Sequence, residues 1–295
     1  MPAQIIDGKK IAAEIRSEVK DQAAILRKER GIVPGLAFIL VGDHPSSQSY
    51  VRMKGKACEE LGFFSVTENL PKNISEKDLL GLINRFNHDT RIHGILVQLP
   101  LPEQFDPDKI LVAVDYRKDV DGFHPVNVGR LVAGLPCFKP CTPYGIQELL
   151  VRSGNDPAGK HVVIIGRSNI VGKPLANILL QKQPGANAIV TVAHTGAKDL
   201  TDYTKSADIL IVAIGRPEAV TGDMIRKGAV VIDVGINRIP DKTAKQGYRI
   251  VGDVHFPSAS EVAGAITPVP GGVGPMTIAM LMRNTLNAAL HGIEE

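Results

Sequence analysis

The chain has 295 residues, 44% of them hydrophobic, with 34 lysines and arginines against 31 aspartates and glutamates and a net charge of +3. That length suits two domains with full cores, and a slight, dispersed charge gives no nucleic-acid or membrane surface. Three cysteines rule out a disulfide framework, the acids Asp7 and Glu14 rule out a signal or transit peptide, and no apolar run is long enough to span a membrane, so a soluble cytoplasmic protein is expected.

Ile11, Ile15, Val19, Ile25 and Leu26 recur at helical spacing and predict a helix over 9–29. GLAFILVGD then reads as a buried strand, and a helix over 46–61 follows, opened by serines and closed by Gly62. On this helix Tyr50, Lys54, Ala57 and Leu61 fall on one stripe, flanked by Met53 and Cys58. Lys54 therefore stands in an apolar face. Either its methylenes run along the core to a solvated head, or the amine is held at the wall of a site.

FFSVTENL is a strand, 75–88 a helix, HGILVQLP a strand and 107–115 a short helix, the alternation that marks βαβ units and a parallel sheet. Gln98 ends the HGILVQLP strand, as either a strand cap or a group facing a ligand. In RKDVDGFHP, Asp121 before Gly122 is either a D-G turn or a placed carboxylate. Cys137 and Cys141 have no second pair, too few ligands for a structural zinc, and no metal is expected. CTPYGIQELLVRSG predicts a helix leaving this unit, with Pro143 near its first turn.

A second α/β series opens at HVVIIGRSNIVGKP, a buried strand, a glycine turn and a helix start. Gly166 ends the strand, Gly172 allows close packing, and the helix amides can take a pyrophosphate. Ser168 stands where the usual fingerprint has its second glycine, so a ligand-free β-α turn is the competing reading. The strands AIVTVAH, ADILIVAIG and AVVIDVG follow, then YRIVGDV and GAITPVP, and 275–291 closes as a helix. AIVTVAH is followed by Thr195 with no acid to bind ribose hydroxyls, whereas Arg167 offers a cation for a 2′-phosphate, which favours NADP over NAD. PVPGGVGPMT, stiffened by prolines and bared by glycines, is either a rigid connection or a surface for a flat ligand.

Taken in order, SYVRMKGKA, GILVQLPLP, KDVDGFHPVNVG, PCTPYG, VVIIGRSNIVGKP, VVIDVGIN, VGDV and ITPVPGGVGPMT resemble the bifunctional methylenetetrahydrofolate dehydrogenase/methenyltetrahydrofolate cyclohydrolase family over essentially the whole chain. The resemblance implies an α/β fold of two domains. An N-terminal folate domain with a parallel sheet would span 1–144, with 275–295 packing back on it, and a Rossmann-like NADP domain would span 145–274 across a cleft. It implies Tyr50 and Lys54 as the catalytic pair, Gln98 as the group positioning the lysine, and Asp121 as the carboxylate holding the pterin edge. Leu99, Pro270, Gly271 and Gly274 would complete the folate site. Gly166, Arg167, Ser168, Val171, Gly172 and Pro174 would hold the cofactor together with His194, Thr195 and Ile236. Gly-x-Ser in place of Gly-x-Gly is shared with that family, while the loop QKQPGANA is longer than its pattern. The implied partners are one-carbon tetrahydrofolates and a second copy of the chain, with no nucleic acid and no membrane.

Two rival readings remain at this point. The spacing Tyr50-x-x-x-Lys54 matches short-chain dehydrogenases, but there the dinucleotide turn precedes the Tyr/Lys helix, and here it follows. A non-catalytic NADP-binding module would keep Gly166 and Gly172 but gives no reason for Lys54.

Overall fold

The structure, a computed structural model, describes residues 3–244 and 246–291. The first half of the chain runs β1 (Gln4–Ile5), α1 (Gly8–Arg30), β2 (Gly35–Val41), α2 (Pro45–Leu61), β3 (Phe64–Leu70), α3 (Glu76–His88), β4 (Gly94–Val97), α4 (Pro107–Ala113), α5 (Pro125–Ala133) and α6 (Cys141–Arg152). The second half runs β5 (His161–Ile165), α7 (Gly172–Leu180), β6 (Ile189–Ala193), α8 (Thr201–Thr204), β7 (Ile209–Val212), β8 (Val230–Asp233), β9 (Asn237–Pro240), β10 (Tyr248–Val251), α9 (Phe256–Val262), β11 (Ala265–Ile266) and α10 (Val273–Leu290).

These elements form two compact units, Ala13–Cys141 with Ile278–Glu295, and Met1–Ala12 with Thr142–Thr277. The first contains a three-stranded parallel sheet in the order β3-β2-β4. All seven residues of β2 are buried, as a central strand covered on both faces requires. Ile39 of β2, Leu79 and Ile83 of α3 and Ile95 of β4 share its core. The last part of α10 belongs to this unit: Asn284 donates to the carbonyls of Val120 (2.8 Å) and Lys139 (3.0 Å), and Met282 lies against the Cys58 thiol.

The second unit holds a six-stranded parallel sheet in the order β1-β11-β8-β7-β5-β6. β6 lies on one side of β5 and β7 on the other, so the winding reverses at β5, and ligand crevices form at such a reversal. Val163, Ile165, Leu210 and Val231 form its core.

Three features correct the sequence expectations. Residues before Ala13 group with the six-stranded unit rather than with the N-terminal domain, because β1 pairs with β11 (Gln4 with Ala265). A strand this short carries no periodic signal. YRIVGDV forms an antiparallel hairpin with β9 outside the main sheet. Residues 125–133, absent from the predicted elements, are helical. Residues 292–295 of the expected final segment lie outside the described residues. Among the described residues no helix is long and apolar enough to cross a membrane.

Candidate active site

Pro45 at the start of α2 fixes its first turn, and Gly62 closes it in the left-handed region at φ 71°. Its buried stripe is Ser47, Val51, Lys54, Cys58 and Leu61, in steps of four and three, with Ala57 alongside. The expected stripe was one position off at its N-terminal end: Tyr50 is 38% exposed and Met53 45% exposed, so both stand on the rim. Lys54 itself is only 7% exposed. Its Nζ donates to Gln98 Oε1 at 3.0 Å. Gln98 follows β4, its backbone amide bonded to Ile39 O at 2.9 Å. Its Nε2 donates to Leu99 O at 2.7 Å, which turns the amide oxygen toward the lysine.

Asp121 lies on the loop that edges β4, where Ile95 N donates to Lys118 O at 2.8 Å. Gly122 is left-handed (φ 77°), and a β-carbon there would strike the Phe138 carbonyl and Pro140 nitrogen, so the D-G turn is real as well. Burial pushes the Asp121 carboxyl up, and the charge of Lys54 and a hydrogen bond from the Cys141 thiol pull it back. Burial also drives the Cys141 thiol well up, helped by that carboxylate. The loop is held from beneath by Asp119, whose Oδ2 accepts from His124 N (2.8 Å) and Asn127 Nδ2 (2.9 Å). Burial pushes the Asp119 carboxyl up to about 7. Cys141, Asp119 and Asn284 were not singled out from sequence for these contacts. An amine, an amide and a carboxylate thus converge at the ends of buried elements, a set able to grip a polar heterocycle and move protons on it.

In the other unit, β5 ends at Gly166 (φ 129°), whose β-carbon would collide with the Ala213 carbonyl. A β-carbon on Gly172 would collide with the Gly166 carbonyl, so the start of α7 presses against the turn. No side chain caps α7; Lys173 N donates to Ser168 O at 3.1 Å, Leu175 N to Val171 O at 2.9 Å and Pro174 has no N–H, which leaves the Gly172 amide of the first turn for an anion. Ser168 Oγ accepts from Val171 N at 3.1 Å and holds the turn where a glycine is usual. Pro174 is buried in the first turn of α7. Gly166 N donates to Ala193 O at 2.8 Å, which sets the Arg167 turn beside His194 and Thr195 at the end of β6. Arg167 and Thr195 are exposed, and His194 Nδ1 accepts from Gly196 N at 3.0 Å. The exposed 167–170 turn, the Arg167 cation and the Thr195 hydroxyl fit a phosphorylated dinucleotide.

The proline-glycine loop also belongs to this unit. Lys9 N donates to Gly271 O at 3.1 Å, and Gly272 N to Pro268 O at 2.8 Å. A β-carbon on Gly8 would strike the Gly272 carbonyl. Pro270 is exposed, and Gly274 lies beside the half-exposed Ile236 side chain. The expected site residues therefore form two sets, each within one unit: Tyr50, Lys54, Gln98, Leu99 and Asp121 in the first, and the dinucleotide turn with the 270–274 loop in the second.

Comparison with known proteins identifies two domains in the chain. The family model for the tetrahydrofolate dehydrogenase/cyclohydrolase catalytic domain matches residues 6–121, and that for the NAD(P)-binding domain of the same family matches 140–292. The bifunctional protein FolD of Syntrophus aciditrophicus is 60% identical, over 98% of this chain and 98% of its own. The crystal structure of the Campylobacter jejuni bifunctional enzyme FolD superposes with a TM-score of 0.91 at 50% identity, covering 98% of this chain and 99% of that one. The Trypanosoma brucei methylenetetrahydrofolate dehydrogenase-cyclohydrolase, solved with NADP cofactor and inhibitor, gives a TM-score of 0.93 at 39% identity, with 100% of both chains covered. With matches to both domains and near-complete coverage by such relatives, the chain belongs to the tetrahydrofolate dehydrogenase/cyclohydrolase family.

Proposed function

We propose that the chain oxidises 5,10-methylenetetrahydrofolate with NADP+ and hydrolyses the resulting 5,10-methenyl cation to 10-formyltetrahydrofolate, using Lys54 for proton movement in the second step. The observation that carries this reading is the buried Lys54 amine bonded to Gln98, with Asp121 close enough to feel its charge. NADP+, when bound, supplies the acceptor for the hydride lost from the methylene carbon. Gly166, Arg167, Ser168, Val171, Gly172 and Pro174 would hold it, with His194, Thr195 and Ile236.

In the hydration, water adds to the methenyl carbon, the bond from that carbon to one ring nitrogen breaks, and one proton leaves. Lys54 handles that proton and Gln98 fixes where its nitrogen points. Asp121 grips the amino-pyrimidine edge, for which a carboxylate is a matched acceptor. Within the three-stranded unit, Tyr50 on the rim and Leu99 would contact the folate. Family membership further supports a homodimer, and we place it in the cytoplasm.

Lys54→Met keeps the buried stripe of α2 apolar. Cyclohydrolase activity should fall by about 10²–10⁴-fold, the usual contribution of a general acid–base group, while dehydrogenase activity falls far less. Methenyltetrahydrofolate should then accumulate, visible by its absorbance, while NADPH still forms. An unchanged ratio of the two rates in folded variant would leave Lys54 as a packing residue.

A further inference from the structure

Two buried aspartates in the six-stranded unit have no part in the chemistry above. Asp233 ends β8 and is 3% exposed; Asp253 follows β10 and is fully buried. Asp233 Oδ1 accepts from Gly235 N and from Asp253 N, both at 2.9 Å, and its Oδ2 accepts from Val254 N at 2.9 Å. Asp253 Oδ2 accepts from Ile214 N (2.7 Å) and Gly215 N (2.9 Å), and its Oδ1 accepts from Asn237 Nδ2 (2.8 Å). A β-carbon on Gly235 would collide with the Asp253 carboxylate, and one on Gly252 with that of Asp233, so both glycines make room for the pair. The two carboxylates thereby bind together the segments that follow β7, β8 and β10.

The position of this knot in the sheet gives it a function. A dinucleotide lying across the carboxyl ends of the strands, its pyrophosphate at the start of α7, has its two nucleosides on opposite sides of β5. The half bearing the 2′-phosphate goes to the β6 side, where Thr195 stands beside the Arg167 turn. The nicotinamide half then goes to the β7–β8 side, over the segments tied by Asp253. Ala213, just before those tied amides, is the residue that Gly166 packs against. Ile236, 54% exposed, sits between Gly235 and Asn237, each bonded to one of the carboxylates. An apolar side chain held open in this way suits the flat face of a nicotinamide ring.

We propose that Asp253, seated by Asp233, is a positioning residue for the nicotinamide half of the dinucleotide: it fixes the backbone of Ile214 and Gly215 and, through Asn237, the presentation of Ile236. The proposal rests on the reading of this unit as an NADP site. It reaches the cofactor through backbone and Ile236, not through the carboxylate itself.

The test is calorimetric titration of the full chain and of Asp253→Asn with two probes, NADP+ and adenosine 2′,5′-bisphosphate, which carries only the 2′-phosphate half. In the variant one side-chain oxygen is replaced by an NH2 group, which must face either the Ile214 and Gly215 amides or the Asn237 amide, so at least one of the two links is lost, and NADP+ affinity should fall by about tenfold or more, a tenfold loss being about 1.4 kcal/mol. Adenosine 2′,5′-bisphosphate should bind as before, and hydrolysis of methenyltetrahydrofolate should be unchanged. Unweakened NADP+ binding, or an equal loss for both probes, would overturn the proposal. If Asp253→Asn does not fold, Asn237→Ala, which removes the link toward Ile236 together with the Asn237 bond to Gly252 O and leaves the Ile214 and Gly215 bonds in place, is judged by the same pair of affinities. Failure of the unaltered chain to bind either probe would remove the NADP reading and this inference with it, a result distinct from a selective loss.

Discussion

Asp121 is under two opposed influences, burial that favours its neutral form and the Lys54 charge that favours its carboxylate. Replacing Lys54 by methionine removes the second and leaves the first. In Lys54→Met the Asp121 carboxyl should therefore hold its proton to higher pH than in the unaltered chain, and folate binding should weaken in the pH range between the two titrations. Carbon-13 NMR of labelled aspartate, with Asp121→Asn to assign the signal, reads this directly; an unmoved titration would mean that the two groups do not interact. At this scale the sequence is informative where a residue type violates its local pattern. Lys54 does so in an apolar stripe and Gln98 at the end of an apolar strand. Tyr50 shows the limit, since the same stripe rule placed it inward by one position when Val51 takes that place. The contacts made by Cys141 and Asn284 were not legible, because their partners are far apart in the chain: Asn284 meets Val120 across 164 positions.

The segments that carry the site differ in how they are held. The loop bearing Asp121 depends on one carboxylate, Asp119, which accepts from a backbone amide and a side-chain amide with almost no solvent. Burial raises it from an ordinary 3.8 to about 7. Between those values the folded chain retains a proton that the unfolded chain has released, so this group's contribution to stability falls as pH rises through that window. Asp119→Asn can still accept both hydrogen bonds but has no proton to lose. The stability of the variant minus that of the unaltered chain should therefore rise from about pH 4 to about pH 7. Urea unfolding at several pH values measures the difference, in which other titrating groups cancel; parallel profiles would contradict it. Strands such as β2, β4, β5 and β7 were legible because burial on both faces leaves continuous apolar runs. The helix α5 escaped, although His124 accepts from Val126 N at its start, Pro125 opens it and Gly134 closes it in the left-handed region, which are the expected signals of a short helix.

Across the whole molecule, the chain leaves the six-stranded unit within α1, returns to it at α6 and leaves it again within α10, so neither unit is a single stretch of sequence. That arrangement is invisible to periodicity, which reports what each helix buries but not against which sheet. It has a thermodynamic consequence for α10. Leu281, Met282 and Leu286 are at most 1% exposed, and Asn284 satisfies the carbonyls of Val120 and Lys139 in the three-stranded unit. Full burial of such side chains contributes about 1.5–3 kcal/mol each. Buried carbonyls stripped of their donor cost about 1–3 kcal/mol each. The sum is comparable with the about 5–15 kcal/mol that stabilises an ordinary domain. A chain ending at Thr277 retains every segment of the six-stranded unit and loses this support from the other. Hydrogen exchange should then find the amides of β5 protected and those of β2 exchanging freely. Supplying a peptide of residues 278–291 should restore protection to β2 in proportion to its concentration, because binding only the folded form stabilises it by mass action. Protection of β2 in the truncated chain without the peptide would show that the three-stranded unit stands on its own and that the packing of α10 is dispensable to it.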